Sequence, residues 1–134
     1  MIASPFCFWI KSFFILVIVL MVSGSNAMAQ ADPSRGLAYA YYLQAIMEKS
    51  SGRLSDASNA LKRALDLDPE SIAILEELAK VAASMGNLQE AEQWAEQAIA
   101  LEIGNLDMKM VLARIYANED RVAEALELLE EVLS

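Results

Sequence analysis

Residues 72–105 read IAILEELAKVAASMGNLQEAEQWAEQAIALEIGN, and this stretch decides the fold because its outline returns on both sides of it. Ala79 recurs as Ala45 and Ala113, Gly86 as Gly52 and Asp120, and Leu88 as Leu54 and Val122. Ala91 recurs as Ala57 and Ala125, and Ala98 as Ala64 and Val132. Every column is spaced by 34 residues. Such a period belongs to a helix–turn–helix unit whose apolar face is half buried until a neighbour stacks on it. An array of these units builds a superhelix with a concave binding surface.

The same stretch explains itself without its copies. Ile72, Leu75, Leu78, Ala79 and Ala82 sit at helical spacing, and Asp68-Pro69 ahead of them offers an N-cap and a first-turn proline. Gly86-Asn87 stops that helix, and Leu88, Ala91, Trp94, Ala95, Ala98, Ile99 and Leu101 resume the helical period. Two helices therefore face each other antiparallel across a short turn, and the Ala columns let their backbones approach closely. A large residue in such a column overpacks the contact at a cost of roughly 1–3 kcal/mol. The spacing predicts six helices, near 34–50, 54–67, 70–85, 88–101, 105–118 and 122–133. Trp94 stands between Ala60 and Leu128 in its column, where it fills the space its small neighbours open.

This register resembles the tetratricopeptide repeat family from about residue 37 to Ser134. Tyr41, Ala45, Gly52, Ala57, Leu61, Ala64 and Pro69 carry the likeness in the first unit, and Leu75, Leu78, Ala79, Gly86, Ala91 and Ala98 in the second. Leu112, Ala113, Tyr116, Ala125 and Leu129 carry it in the third. Gln44 departs from the usual Leu, Ala95 from a large apolar residue and Ile103 from the closing Pro. Asp120 can still take the left-handed conformation that the glycine column supplies. The resemblance implies an all-α chain, an α-solenoid of three repeats at about 38–71, 72–105 and 106–134 in a right-handed superhelix. Residues 30–36 form a linker.

The first thirty-one residues carry one charged side chain, Lys11, and residues 13–22 are an unbroken apolar run of ten. That length suits a signal-peptide core better than a bilayer span of roughly 20 residues. Ala27-Met28-Ala29 has the small-x-small form of a cleavage site, so residues 1–29 read as a signal peptide and Gln30 as the new N-terminus. The alternative is an uncleaved anchor over residues 6–22 with Lys11 snorkelling to the interface. Either way the repeats end up outside the cytoplasmic membrane, periplasmic or extracellular if cleavage occurs. Bacterial lipid attachment needs a Cys at the end of the apolar core, and the sole Cys, Cys7, precedes it.

Removing residues 1–29 takes away Cys7 and Lys11, which leaves 9 basic and 19 acidic side chains and a formal charge of −10. With no His and no Cys there is no imidazole base, no thiol nucleophile and no soft ligand set for zinc or copper. Glu76-Glu77 and Glu130-Glu131 are neighbours in sequence, but adjacent residues on a helix diverge by about 100° and do not form an acid/base pair. The segment from Asp66 to Glu77 resembles a calcium loop but has Ser71 where the sharp turn needs Gly. The acidic balance repels phosphate, which excludes nucleic acid. No cofactor, metal or catalytic residue is expected, and the chain reads as a non-catalytic binder of a protein or extended peptide.

In the family, the first helix of each unit lines the groove. That implies Tyr39, Tyr42, Ile46 and Lys49 from the first unit, Ala73, Glu76, Lys80 and Ser84 from the second, and Asp107, Met110, Arg114 and Asn118 from the third. Lys80 and Arg114 lie one repeat apart beside two tyrosines, which fits an extended peptide with acidic groups; the competing reading has both cations neutralising nearby Glu residues. Tyr42 and Ile46 stand where chaperone-binding members carry the Lys and Asn of their carboxylate clamp, which argues against a cytosolic chaperone adaptor.

The third unit stops at Ser134 without a polar capping helix after Leu126, Leu129, Val132 and Leu133. Further repeats beyond this point, self-association, or docking on a partner would each cover that stripe. Two functions follow: an exported envelope scaffold that holds a partner in the groove, or the N-terminal module of a longer envelope enzyme or secretion-assembly component.

Overall fold

The computed structural model describes residues 32–134, and Ser34–Ser134 form one compact body. The expected signal peptide or anchor, its cleavage site and the start of the linker lie outside the described residues. Six helices fill the described chain: α1 (Pro33–Ser50), α2 (Leu54–Leu67), α3 (Ile72–Ser84), α4 (Leu88–Leu101), α5 (Leu106–Asn118) and α6 (Val122–Leu133). No strand occurs among the described residues. From α2 onward each helix packs on the next, α3 also meets α5, and Ala45 brings α1 into the apolar cluster of α2 and α3, as a stack of helix pairs requires.

The period of 34 has a backbone cause. At the end of α1 the Arg53 N–H donates to the Glu48 carbonyl at 2.9 Å and the Gly52 N–H to Lys49 at 3.0 Å. Asn87 to Ala82 (2.9 Å) with Gly86 to Ala83 (3.1 Å), and Arg121 to Tyr116 (2.8 Å) with Asp120 to Ala117 (3.4 Å), repeat the pattern. These paired bonds close a helix around one left-handed residue. That residue is Gly52 at φ 77°, Gly86 at φ 80° and Asp120 at φ 62°. Replacing Asp120 by Gly should therefore stabilise the fold by about 0.5 kcal/mol, the relief of a left-handed side chain less the added freedom of the unfolded chain. Thermal unfolding followed by circular dichroism checks it, with an expected rise of roughly 2–4 °C.

The links between repeats share a second pattern, and here the sequence reading needs a correction. Asp68 and Pro69 do not open α3. The Asp68 N–H donates to Ala64, closing α2, and the Ser71 N–H donates back to Asp68 at 3.2 Å, so Pro69 is the second residue of a four-residue turn. That is a position proline's fixed φ favours. Ser71 takes the N-cap position of α3 without a side-chain bond, and the helix starts at Ile72 rather than near 70. Glu102 and Asn105 make the equivalent turn, Asn105 N–H to Glu102 carbonyl at 3.0 Å, with Ile103 in the place of Pro69. The departure at Ile103 costs little because the turn's hydrogen bond does not involve it.

Two apolar clusters run through the stack. One joins Ala45, Ala57, Ala60, Leu61 and Ala64 to Ile74, Leu78 and Val81 of α3. The other joins Leu75, Ala79 and Ala82 of α3 to Ala91, Ala95 and Ala98 of α4 and Met108, Leu112 and Ile115 of α5. Helix α3 is thus buried on two sides, and Ala57, Ala79, Ala91, Ala95 and Ala98 have no exposed surface at all. Ala95, a departure by family standards, makes room for α5 to sit close.

Candidate interaction groove

Helix α1 has 18 residues against 13 in α3 and 13 in α5, so it projects an extra turn beyond the repeat register. That turn carries Arg35, which with Ala38 at the start of the register lines a pocket of about 240 Å³. Tyr39 and Tyr42 of α1, Asp68 and Ser71 of the interrepeat turn, and Ala73 and Ile74 of α3 complete its lining. The two tyrosine rings lie 6.3 Å apart, inclined by 18°, in an offset stack. Tyr39 remains 62% exposed, so the stack meets solvent on its open side. Three of the expected groove residues, Tyr39, Tyr42 and Ala73, are therefore together in one concavity. Arg35, on the extra turn of α1 that has no counterpart in the other units, joins them, as do Asp68 and Ser71 of the interrepeat turn.

The central groove residues meet in an ion-pair ladder. Lys49 Nζ lies 2.7 Å from Glu77, and Lys80 Nζ lies 3.3 Å from Glu77 and 3.8 Å from Glu76. Burial pushes the Glu77 carboxyl up, but the hydrogen bond and charge of Lys49, aided by Lys80, outweigh it and hold the group below its ordinary range. Glu76 accepts a 2.6 Å hydrogen bond from Asn105 Nδ2. Asn105 is in turn the N-cap of α5, its Oδ1 accepting from the Met108 N–H at 3.0 Å. One buried amide thus ties α3 to the first turn of α5. Ser84 turns inward on its own helix, donating to the Lys80 carbonyl at 2.8 Å.

A lowered carboxyl pKa in the folded state means that the unfolded chain binds the proton more readily. The contribution of Glu77 is then fully present above its ordinary pKa and is lost as pH falls through the folded value. Glu77→Gln should cost about 1–2 kcal/mol at neutral pH. The gap to the parent should close as pH is lowered below the ordinary carboxylate range, which paired melting curves at neutral and acid pH would measure.

On α5 the expected residues Asp107, Met110, Arg114 and Asn118 are all exposed on the helix surface. Met110 is 50% exposed, and Arg114 makes no ion pair among the described residues. Lys80 matches the neutralising reading of the sequence, whereas Arg114 stays open to a ligand. Ile46 is half-buried beside Ala45 in α1.

Away from the groove, Arg121 ties the last two repeats. Its guanidinium sits 3.9 Å from the centre of the Tyr116 ring, 2.9 Å from Glu92 and 3.2 Å from Glu119, and it grips Glu124 through two 2.7 Å bonds. The hydrogen bonds of Glu124 and Glu92 hold its pKa above the ordinary range. Among the described residues no group of three or more His, Cys, Asp or Glu side chains could hold a metal ion, and no helix is long and apolar enough to cross a membrane.

Residues 49–102 and 106–134 each match the tetratricopeptide repeat family, and together they take in more than half of the chain. The chain belongs to the tetratricopeptide repeat family. Human protein O-mannosyl-transferase TMTC1 is 27% identical over 115 residues, covering 82% of this chain and 13% of that protein, so the chain spans about an eighth of its relative's length. The second tetratricopeptide repeat domain of Spaghetti (RPAP3), bound to the HSP90 peptide SRMEEVD, superposes with a TM-score of 0.72 at 18% identity, over 78% of this chain and 96% of that one. The crystal structure of MamA superposes with a TM-score of 0.70 at 24% identity, over 72% of this chain and 56% of that one. These likenesses establish a tetratricopeptide repeat solenoid, a fold that serves protein interaction.

Proposed function

We propose that the chain is a non-catalytic scaffold, exported to a bacterial cell envelope, that holds an extended segment of a partner protein along its first-helix face. The pocket of Arg35, Tyr39, Tyr42, Ala73 and Ile74 carries this reading. Stacked tyrosines with one exposed side offer a large, pre-ordered contact area at low entropic cost, the character of a binding hot spot. An apolar or aromatic side chain of the segment sits between α1 and α3, and carboxylates of the segment meet Arg35 and Arg114. The solved RPAP3 domain, with its peptide, supports a peptide in such a groove. The peptide here differs, because Tyr42 and Ile46 replace the clamp residues that the family uses for chaperone tails.

The export half of the proposal rests on the apolar run of residues 13–22 and the Ala27-Met28-Ala29 site. N-terminal sequencing of the mature protein should return Gln30; the intact chain in the membrane fraction would instead favour the anchor.

The binding half is tested by capture from an envelope extract. Tyr39→Ala with Tyr42→Ala should reduce capture at least ten-fold while helicity is retained, since Tyr39 is mostly exposed and Tyr42 only borders the apolar cluster of α1, α2 and α3. Arg114→Glu should weaken capture most at low salt, where screening is least. Unchanged capture by the tyrosine pair would place the partner elsewhere on the chain.

A second reading is favoured by the human relative, in which the matched region is a small part of a protein named as a transferase. Here the repeats are the N-terminal module of a longer envelope enzyme or secretion-assembly component. Coding sequence continuing in frame after Ser134 would favour this reading over the first.

A further inference from the structure

The first and last described helices carry, in register, the two kinds of face that pack together at the internal junctions. Where α2 meets α3, Leu61 and Ala64 pack with Ile74, Leu78 and Val81. Where α4 meets α5, Ala95 and Ala98 pack with Met108, Leu112 and Ile115. All of these residues are no more than 4% exposed. One repeat earlier than Ile74, Leu78 and Val81, α1 carries Ala40, Gln44 and Met47, and all three are exposed, Met47 to 69%. One repeat later than Ala95, Ala98 and Ile99, α6 carries Leu129, Val132 and Leu133, and Leu133 is 86% exposed. Leu65, the counterpart of Leu133 in α2, reaches a cluster made wholly of α3, α4 and α5 residues. Helix α1 thus presents the face that α3 and α5 bury, and α6 presents the face that α2 and α4 use to bury it.

Charge agrees with this pairing. Arg35, Glu48 and Lys49 give α1 a formal charge of +1, and Glu124, Glu127, Glu130 and Glu131 give α6 −4. Of the two internal junctions, the α4–α5 one has the same balance, with Glu90, Glu92 and Glu96 giving α4 −3 and Asp107, Lys109 and Arg114 giving α5 +1, whereas the α2–α3 one sets 0 against −1. The end-to-end pair reproduces the electrostatic balance of a junction that the chain already makes.

We infer that the outer face of α6 docks on the outer face of α1 of a second copy, continuing the stack head to tail. Such a contact is heterologous: each copy uses two different surfaces, so copies add in series or close into a ring. Gln44 limits its strength. It occupies the place of the buried Leu78 and Leu112, and its amide would lose water on association without a partner supplied by the aliphatic face of α6. The contact is therefore reversible in the parent chain, and one substitution strengthens it.

The test uses the full chain in detergent micelles, with Cys7→Ser removing the native thiol. Copies bearing Met47→Cys alone and copies bearing Leu129→Cys alone are mixed and treated with a short thiol-reactive cross-linker. These positions correspond to Val81 and Leu61, which share a cluster. Covalent dimers joining residue 47 of one copy to residue 129 of another should exceed those from either copy by itself, and those from a Gln97→Cys control, by at least ten-fold. Gln44→Leu should tighten association about ten-fold, and Leu133→Glu, at a site with little contact in the free chain, should weaken it by a similar factor. Dominant 129-to-129 dimers would show tail-to-tail pairing and overturn the inference. Equal yields at all three positions, or a species that sediments as a monomer with no cross-link at high concentration, would overturn it as well.

Discussion

Trp94→Ala is expected to lower the unfolding free energy by about 3 kcal/mol, at the lower end for loss of a large aromatic because the ring keeps some exposure. The indole packs against both apolar clusters, a position shared only with Leu65 among the described residues. Its Nε1 donates to Glu90 at 3.3 Å, and Glu90 also pairs with Lys62 of α2 at 2.8 Å. Ala in this column is already present at residue 60, so the backbone tolerates the change and the effect is one of lost packing. In a linear stack, stability is a sum of unit terms and junction terms, and this side chain contributes to the junctions on both sides of the middle repeat. Chemical denaturation should show a lower midpoint and a broader transition as the first repeat uncouples from the other two. Trp94→Phe should recover more than half of the loss. A change below about 1 kcal/mol would mean that the ring is a surface group.

Asn105→Ala is expected to cost about 2 kcal/mol, for two separable reasons. Loss of the cap on the Met108 N–H accounts for about 1 kcal/mol, and loss of the 2.6 Å bond to Glu76, which then keeps only Lys80 at 3.8 Å, adds a comparable amount. Asn105 is the one buried polar residue among the described residues, at 6% exposure. Asn105→Asp would keep the cap but bring a second carboxylate against Glu76, so it should fail to restore the parent stability. Glu76→Ala should cost less in the Asn105→Ala background than in the parent, and the difference measures the coupling across the two repeats. Additive losses would show that the amide acts as a cap alone.

The features that repeat were legible in the sequence. Gly52, Gly86 and Asp120 mark the same backbone turn three times, and the alanine columns mark the same close approach, so helix ends were placed to within about two residues. What repeats only once left no column to read. Glu76 stands in register with Tyr42 and Met110, and Asn105 with Ser71, so nothing in the pattern foretells their 2.6 Å bond. Lys49 and Glu77 are likewise 28 residues apart and meet only because the stack brings α1 beside α3. Arg35 entered the pocket through the extra turn of α1, where the repeat register has no counterpart. Asp68-Pro69 misled because the same residues that open a helix also make a turn, and the hydrogen bond from Ser71 back to Asp68 decides between them.

The alanine columns have a mechanical meaning. Within a repeat, Ala45 shares a cluster with Ala57 and Ala79 with Ala91, and alanine has no side-chain torsion with which to accommodate a displacement. Between repeats the contacts are Leu61 on Leu78 and Val81, and Ala98 on Met108, Leu112 and Ile115, where longer side chains can exchange rotamers. Each helix pair is therefore a stiff plate, and the two junctions are the compliant joints between plates. Under load the pitch of the stack should change before a helix pair deforms, and the groove should widen or narrow with it as a spring does.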